Sequence, residues 1–325
     1  MKGVVRFELF FARLMIVMKT RIYTPTMIDD PNVQADIRQT LLSGNHVIFP
    51  TETVYGIGAS ALHESGIQKI YAVKGRPRDN PLIMHVPSIQ AISPYVYIDY
   101  DYVNTLMTTF WPGPLTLVCR KRLTVPKWIS GELDTVAIRI PSHPVALKIL
   151  QIAGVPICAP SANLSGRPSS TLFEHVLEDF DSHVDIIIDG GRSEVGLEST
   201  VLDVTREVPV ILRPGVITQA MLKAHVGTVD LHNDLAVTDG PRAPGMKYKH
   251  YAPKGELTLV QGDKTQVIEY INAQIATHQN ENKKVGVLLT DDMQEAFPKA
   301  VVHSLGDAHC ESDLAANLYI GLWRI

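Results

Sequence analysis

Apolar positions along this chain follow two periods, and the two alternate. Val33, Ile37 and Leu41 stand four apart, behind Asp30-Pro31 and ahead of Ser43-Gly44. That spacing predicts a helix with a capping carboxylate, a proline in its first turn and a glycine stop. HVIF at 46–49 then reads as a short strand, PTETVYGIG at 50–58 as a loop with two glycines, and GIQKIYAVKG at 66–75 as a helix closed by Gly75. PLIMHV at 81–86 is a strand, so KGRPRDNP at 74–81 is a helix-to-strand junction. The alternation continues through a helix at 103–111, strands at 115–120 and 135–140, a helix in SHPVALKILQIAG, and a strand in VPICAP. VDIIIDGG, STVLDV and PVILRPG are further strands, and ITQAMLKAHVG a helix. Strands alternating with helices over this length predict an α/β domain with a large twisted mixed sheet.

From residue 229 the pattern lapses. Residues 229–255 carry prolines, glycines and the cluster MKYKHY, without periodicity, and read as a linker. Tyrosines and a histidine among lysines are unusual for a disordered tether, and long ordered loops often act as lids. Beyond it the periods resume: strand ELTLVQG, a helix near 263–278, strand KKVGVLLT, a helix near 291–297, strand AVVHSLG and a helix from about 312. This predicts a smaller Rossmann-like parallel α/β C-terminal domain at 256–325, shortened at LYIGLWRI, behind a main domain at 19–228. Residues 1–18 form an N-terminal extension. Glu8 and Arg13 break its apolar run, which is too short to span a membrane.

Composition narrows the function. With 30 Lys and Arg against 34 Asp and Glu, the net charge of -4 does not suit a general nucleic-acid binder. Three cysteines, with no CxxC, argue against a disulfide framework or a zinc site and for a reducing, cytoplasmic setting. No P-loop, GxGxxG after a strand, HExxH or GxSxG is present. What remains is a set of polar loops at strand ends, where open α/β sheets bind ligands. They are PTETVYGIG, KGRPRDNP, PSANLSGRPS and GLESTV, with Arg213 at the end of ILR. Hydroxyls, amides, exposed backbone N–H groups and fixed cations suit phosphates and a carboxylate. Arg139 lies inside an apolar strand, where it needs a partner: a substrate carboxylate or a buried glutamate.

PTETVYGIGA, KGRPRDNPLIMHV, FWPGPLTLV, VAIRIPSHP, PICAPSANLSGRPS, IIIDGG, GLESTVLD and VILRPG stand in an order and spacing that resembles the YrdC-like family of L-threonylcarbamoyladenylate synthases. PGMKYKHYAP resembles the linker of that family's long form, over a match of roughly residues 22–325. The resemblance implies a nucleotidyltransferase with ATP, L-threonine and bicarbonate as substrates and threonylcarbamoyl-AMP and pyrophosphate as products. It implies Mg²⁺ brought with ATP and no protein-held metal. Its product would feed the tRNA threonylcarbamoyl transfer machinery, with weak tRNA binding and no membrane partner.

The family's KxR and SxN pairs fall on Lys74 and Arg76 and on Ser161 and Asn163. Lys74 and Arg76 are the expected catalytic groups. Together with Asn80, Thr116, Ser161, Asn163, Ser169, Arg213 and the lid residues Tyr248, His250 and Tyr251, they are expected to bind ATP. Thr51, Thr53, His85, Arg139 and Ser199 are expected to hold threonine. A rival reading is a double-stranded RNA- or tRNA-binding protein that uses the same basic concave surface. The acid-leaning charge balance and the lack of a basic stripe with interleaved aromatics weigh against it.

Overall fold

The computed structural model describes residues 19–131, 133–232 and 251–325. Its first half runs β1 (Arg21–Tyr23), α1 (Pro31–Leu42), β2 (Val47–Phe49), β3 (Gly56–Ser60), α2 (Glu64–Lys74), β4 (Ile83–His85), α3 (Tyr102–Phe110), β5 (Leu115–Arg120), α4 (Lys127–Ser130) and β6 (Thr135–Arg139). There follow α5 (Pro144–Ala153), β7 (Ile157–Cys158), α6 (Phe173–Phe180), β8 (Ile186–Ile188), β9 (Thr200–Asp203), β10 (Val210–Arg213), α7 (Gln219–Val226) and β11 (Asp230–Leu231). The C-terminal unit holds α8 (Lys264–Asn280), β12 (Gly286–Leu289), β13 (Val301–Ser304) and α9 (Glu311–Arg324).

Local chemistry sets the helix ends. Asp30 accepts from Asn32 N at 2.7 Å and starts α1. His143 Nδ1 accepts from Val145 N at 3.2 Å and starts α5, with Pro144 at its first position. Gly75 ends α2 in the left-handed region at φ 60°.

The strands form one 11-stranded mixed sheet in the order β1-β8-β2-β3-β7-β4-β6-β5-β9-β10-β11. Both faces are covered. Val47, Phe49, Ile186 and Ile188 pack with Ile37, Leu41, Ile149 and Leu150 of α1 and α5. Ile48 and Ile187, one residue out of phase, pack in the opposite cluster with Ile67, Ile70 and Phe180. Burial on both faces is why these strands are continuously apolar rather than alternating. Pairing β4 with β6 in parallel sets His85 beside Arg139 at the ends of adjacent strands.

The structure corrects three sequence expectations. The span 50–58 is not wholly loop, because β3 begins at Gly56. Its glycines serve close packing: a Cβ on Gly58 would stand 2.7 Å from the Phe49 ring. The linker span from 229 opens with β11, which pairs in parallel with β10. ELTLVQG forms no strand, and the C-terminal sheet is the parallel pair β12–β13. Leu257 and Leu259 of that segment are 58% and 80% exposed, so their alternation has no partner strand or core to meet. Among the described residues, no helix is long and apolar enough to cross a membrane.

Candidate active site

A cleft of roughly 700 Å³, its open mouth included, lies where the ends of β4, β6, β9 and β10 meet the loops after α2 and β7. Lys74, the last residue of α2, crosses from one loop to another. Its Nζ donates to Ser161 O at 2.5 Å and to Asn163 O, while Ser165 N donates back to Lys74 O at 2.8 Å. These bonds tie KGRPRDNP to SANLSG. Burial, and then the charge of Arg76, push the Lys74 ammonium well below its ordinary range. Arg76 Nη2 donates to Pro81 O at 3.1 Å, within its own turn. Asn163 donates through Nδ2 to Leu164 O and Arg167 O, both at 2.9 Å, and its buried Oδ1 has no hydrogen-bond partner.

On the next wall Arg139 is the hub. Its Nε donates to Gly113 O at 3.1 Å, Nη1 to Thr53 Oγ1 at 2.9 Å and Nη2 to Glu52 Oε1 at 2.6 Å. Glu52 Oε2 also accepts from Ser142 N at 3.1 Å. Of the two partners open for Arg139 on sequence grounds, the buried glutamate is the one in place. Burial raises the Glu52 carboxyl, but the Arg139 charge and the hydrogen bonds outweigh it, and the net shift is downward. His85 is pushed down to about 3, by burial first and by Arg139 second, so its imidazole is neutral at ordinary pH.

The third wall is made of hydroxyls, a carboxylate and phenols. Ser199 Oγ lies 2.7 Å from Thr116 Oγ1, and Arg213 Nη2 donates to Ser199 O at 2.8 Å. Ser169 Oγ donates to Glu198 Oε1, and Tyr319 of α9 donates to Glu198 Oε2 at 2.5 Å. Tyr251 stacks on Tyr319, with ring centroids 5.3 Å apart. Burial, with Glu198 next, pushes the Tyr251 phenol up to about 12.

Thr53, Lys74, Arg76, His85, Arg139, Ser161, Asn163, Ser169, Ser199, Arg213 and Tyr251 all line this cleft. Three other candidates stand behind the wall. Thr51 Oγ1 donates to Val54 O at 2.6 Å and accepts from Thr53 N and Val54 N, closing the turn that presents Thr53. The Asn80 carbonyl accepts from Tyr71 OH at 3.1 Å, which braces the KGRPRDNP turn from below. Thr116 is buried and reaches the cleft only through Ser199. Tyr248 and His250 lie outside the described residues.

Sequence reasoning did not single out Arg167, Glu198, Glu52 or Tyr319. Arg167 lines the cleft, pairs with Asp179 and sits over the Trp323 ring at 5.7 Å. Arg167 and Glu198 fall within loops already marked as polar strand-end segments, so a signal was present for them. Tyr319 lies in an ordinary amphipathic helix, and its sequence neighbourhood carries no such signal.

A family model described as Telomere recombination, covering Sua5, YciO and YrdC proteins, matches residues 39–215. A second, described as Threonylcarbamoyl-AMP synthase, C-terminal domain, matches residues 217–325. The threonylcarbamoyl-AMP synthase of Pyrococcus abyssi is 44% identical over 86% of this chain and 81% of its own length. That of Bacillus subtilis is 41% identical over 94% of this chain and 89% of its own. The crystal structure of P. abyssi Sua5 complexed with L-threonine superposes with a TM-score of 0.83 at 41% identity, covering 93% of this chain and 88% of that one. On fold, cleft and both domain matches, the chain belongs to the Sua5–YrdC family of threonylcarbamoyl-AMP synthases.

Proposed function

We propose that the cleft between Lys74 and Tyr251 is where this chain joins L-threonine, bicarbonate and ATP into threonylcarbamoyl-AMP, releasing pyrophosphate. One observation carries the reading. Lys74, Arg76, Arg139, Arg167 and Arg213 converge on one cleft, and Glu198 is the carboxylate that faces them. So many basic groups around one open cleft suit a polyanion.

The threonine amine takes up bicarbonate, losing water, to give a carbamate. A carbamate oxygen then bonds to the α-phosphorus as the bond to the leaving pyrophosphate breaks. Two anions must approach each other, and the basic side chains screen that repulsion and stabilise the charge of the transition state. Ser161 and Asn163 are placed by Lys74 to meet phosphates, and the bare Asn163 Oδ1 offers an acceptor to a substrate donor. A phosphate beside Lys74 favours the ammonium form that burial disfavours. Neutral His85, with Thr53 and Arg139, faces the threonine. No nucleophilic side chain is required.

The cleft does not fit a protein-held cation. Glu198 accepts from Ser169 and Tyr319, and Glu52 is paired with Arg139. Among the described residues, no group of three or more His, Cys, Asp or Glu gathers as metal ligands. In this reading Mg²⁺ would enter on the ATP phosphates, where it would neutralise part of their charge. The product is a reactive mixed anhydride, which requires a tRNA threonylcarbamoyl transfer machinery as acceptor. A weak tRNA contact and a cytoplasmic location belong to the same reading.

The test follows pyrophosphate release with ATP and Mg²⁺, omitting L-threonine and bicarbonate in turn. Release should need both. Lys74→Ala should lower it about a hundredfold, the loss expected for one preorganised charge-stabilising group. Release that ignores either substrate, or none at all from folded protein, would overturn the proposal.

A further inference from the structure

We infer that α9, the last helix of the C-terminal unit, backs the reaction cleft from behind its lining residue Glu198. In this inference Tyr319 is a positioning residue that acts through Glu198 to fix Ser169 as a hydrogen-bond acceptor for the nucleoside end of ATP. The inference rests on the cleft being the synthase site.

A carboxylate in a basic cleft calls for a reason, since it offsets charge that phosphates would use. Glu198 Oε1 takes the Ser169 proton and its Oε2 takes the Tyr319 proton at 2.5 Å. An ionised carboxylate can only accept, so both hydroxyl protons must point at it. With its proton committed, Ser169 Oγ turns lone pairs toward the cleft. It is then suited to an O–H or N–H donor and poorly suited to phosphate oxygen. The donors of ATP are its ribose hydroxyls and its adenine amine.

Tyr319 is built to hold Glu198 in place. It is 4% exposed and packs with Leu322 of the same helix and Val54 of the cleft wall. Its ring also backs Tyr251, whose φ of 61° is an unusual backbone state for a non-glycine residue. Ala252 N donates to Gly166 O at 2.8 Å, fastening the chain there to the rim of the cleft. The helix reaches Glu198 because Gly196 lets it: a Cβ on that residue would stand 2.5 Å from Ala316 Cα.

Three proteins test this: Tyr319→Phe, Ser169→Ala and the double variant, each compared with wild type for KM(ATP), KM(threonine) and kcat. Tyr319→Phe keeps the ring stack and removes only the hydroxyl. Each single change should raise KM(ATP) on the order of tenfold, as for loss of a charge-assisted hydrogen bond, with kcat and KM(threonine) little moved. The double variant should be no worse than the poorer single one. Wild type should lose a similar factor with one of 2′-deoxy-ATP, 3′-deoxy-ATP or inosine triphosphate, and Ser169→Ala should lose nothing further with that analogue. Additive penalties, or all three analogues used as well as ATP by wild type, would overturn the inference. Should Tyr319→Phe melt early, the Ser169→Ala and analogue arms decide alone. Wild-type pyrophosphate release dependent on threonine and bicarbonate separates failure here from failure of the synthase reading.

Discussion

Two walls of the cleft are built on opposite principles. Around Lys74, side chains bond to backbone: Nζ takes the carbonyls of Ser161 and Asn163, and Arg76 takes that of Pro81. Around Glu198, side chains bond to side chains, and the Tyr319 contact spans 121 residues of sequence. Backbone acceptors are supplied by the loop whatever its neighbours, so the first wall needs only a short motif in the right turn. The second exists only when a separate helix docks. The first wall should therefore respond to changes in charge, and the second to changes in docking.

The largest expected effect falls on the buried ion pair of the Arg139 wall, which stands beside these two. Glu52 and Arg139 are 7% and 5% exposed in their side chains and 2.6 Å apart. Glu52→Ala strands a buried guanidinium, and the loss should be about 3–5 kcal/mol of stability, read by urea denaturation. The lowered Glu52 carboxyl has a matching acid signature. Its contribution is present above the unfolded value, about pH 4.3, and is lost as pH falls through the lower folded value. A Glu52→Ala protein as stable as wild type would show that Arg139 does not depend on this pair.

A docking change comes next. Gly196 has φ 74° and stands against α9. Gly196→Ala meets both the backbone preference and Ala316, and should weaken the seating of α9 by roughly 2–4 kcal/mol. Proteolysis should then release the C-terminal unit sooner, and KM(ATP) should rise while Lys74-dependent chemistry persists. If kcat fell and KM(ATP) held, the two walls would not be separable.

A third effect is a slope rather than a step. His85 titrates near 3 in the fold, so the unfolded chain takes up a proton from about pH 6.5 downward while the folded chain does not. Stability falls with pH across that window, by at most about 1.4 kcal/mol per pH unit for one proton. His85→Gln should remove one proton's worth of that slope. The phenols of Tyr251 and Tyr319 add nothing to this window, since burial raises them further from neutral pH. An unchanged slope in His85→Gln would place the acid sensitivity elsewhere, with His175, also lowered to about 4, as the next candidate.

The same contrast explains what the sequence could tell. Asp30-Pro31, Gly75 and Pro144 mark helix ends by local chemistry, and the structure has helices beginning or ending there. The triplets at 47–49 and 186–188 read as strands, and both are fully buried. The strand order was not legible, because β8 slots between β1 and β2 by packing alone. ELTLVQG has a strand's alternation but pairs with no other strand, so propensity without a partner misled. The cations and hydroxyls of the cleft announce themselves as clusters in loops. Thr51, Asn80 and Thr116 belong to those clusters but are not among the residues that line the cleft, since a motif names residues and not their depth. Tyr319 is the extreme case, brought to the cleft's Glu198 only by where a helix lands.

The smallest effect sharpens this point. Lys264 on α8 pairs with Asp292 at 2.5 Å, and the two side chains are 55% and 51% exposed. Exposed pairs contribute little, because water already solvates both ions and ordering two long side chains costs entropy. Lys264→Ala should leave the denaturation midpoint and KM(ATP) where they are in wild type. The comparison matters because α8 and α9 flank the same two-stranded sheet of the C-terminal unit. If α9 reaches the cleft only through Tyr319 and its neighbours, a surface change on α8 has no route to ATP. A raised KM(ATP) in Lys264→Ala would mean that the whole unit, and not one helix face, tunes the second wall.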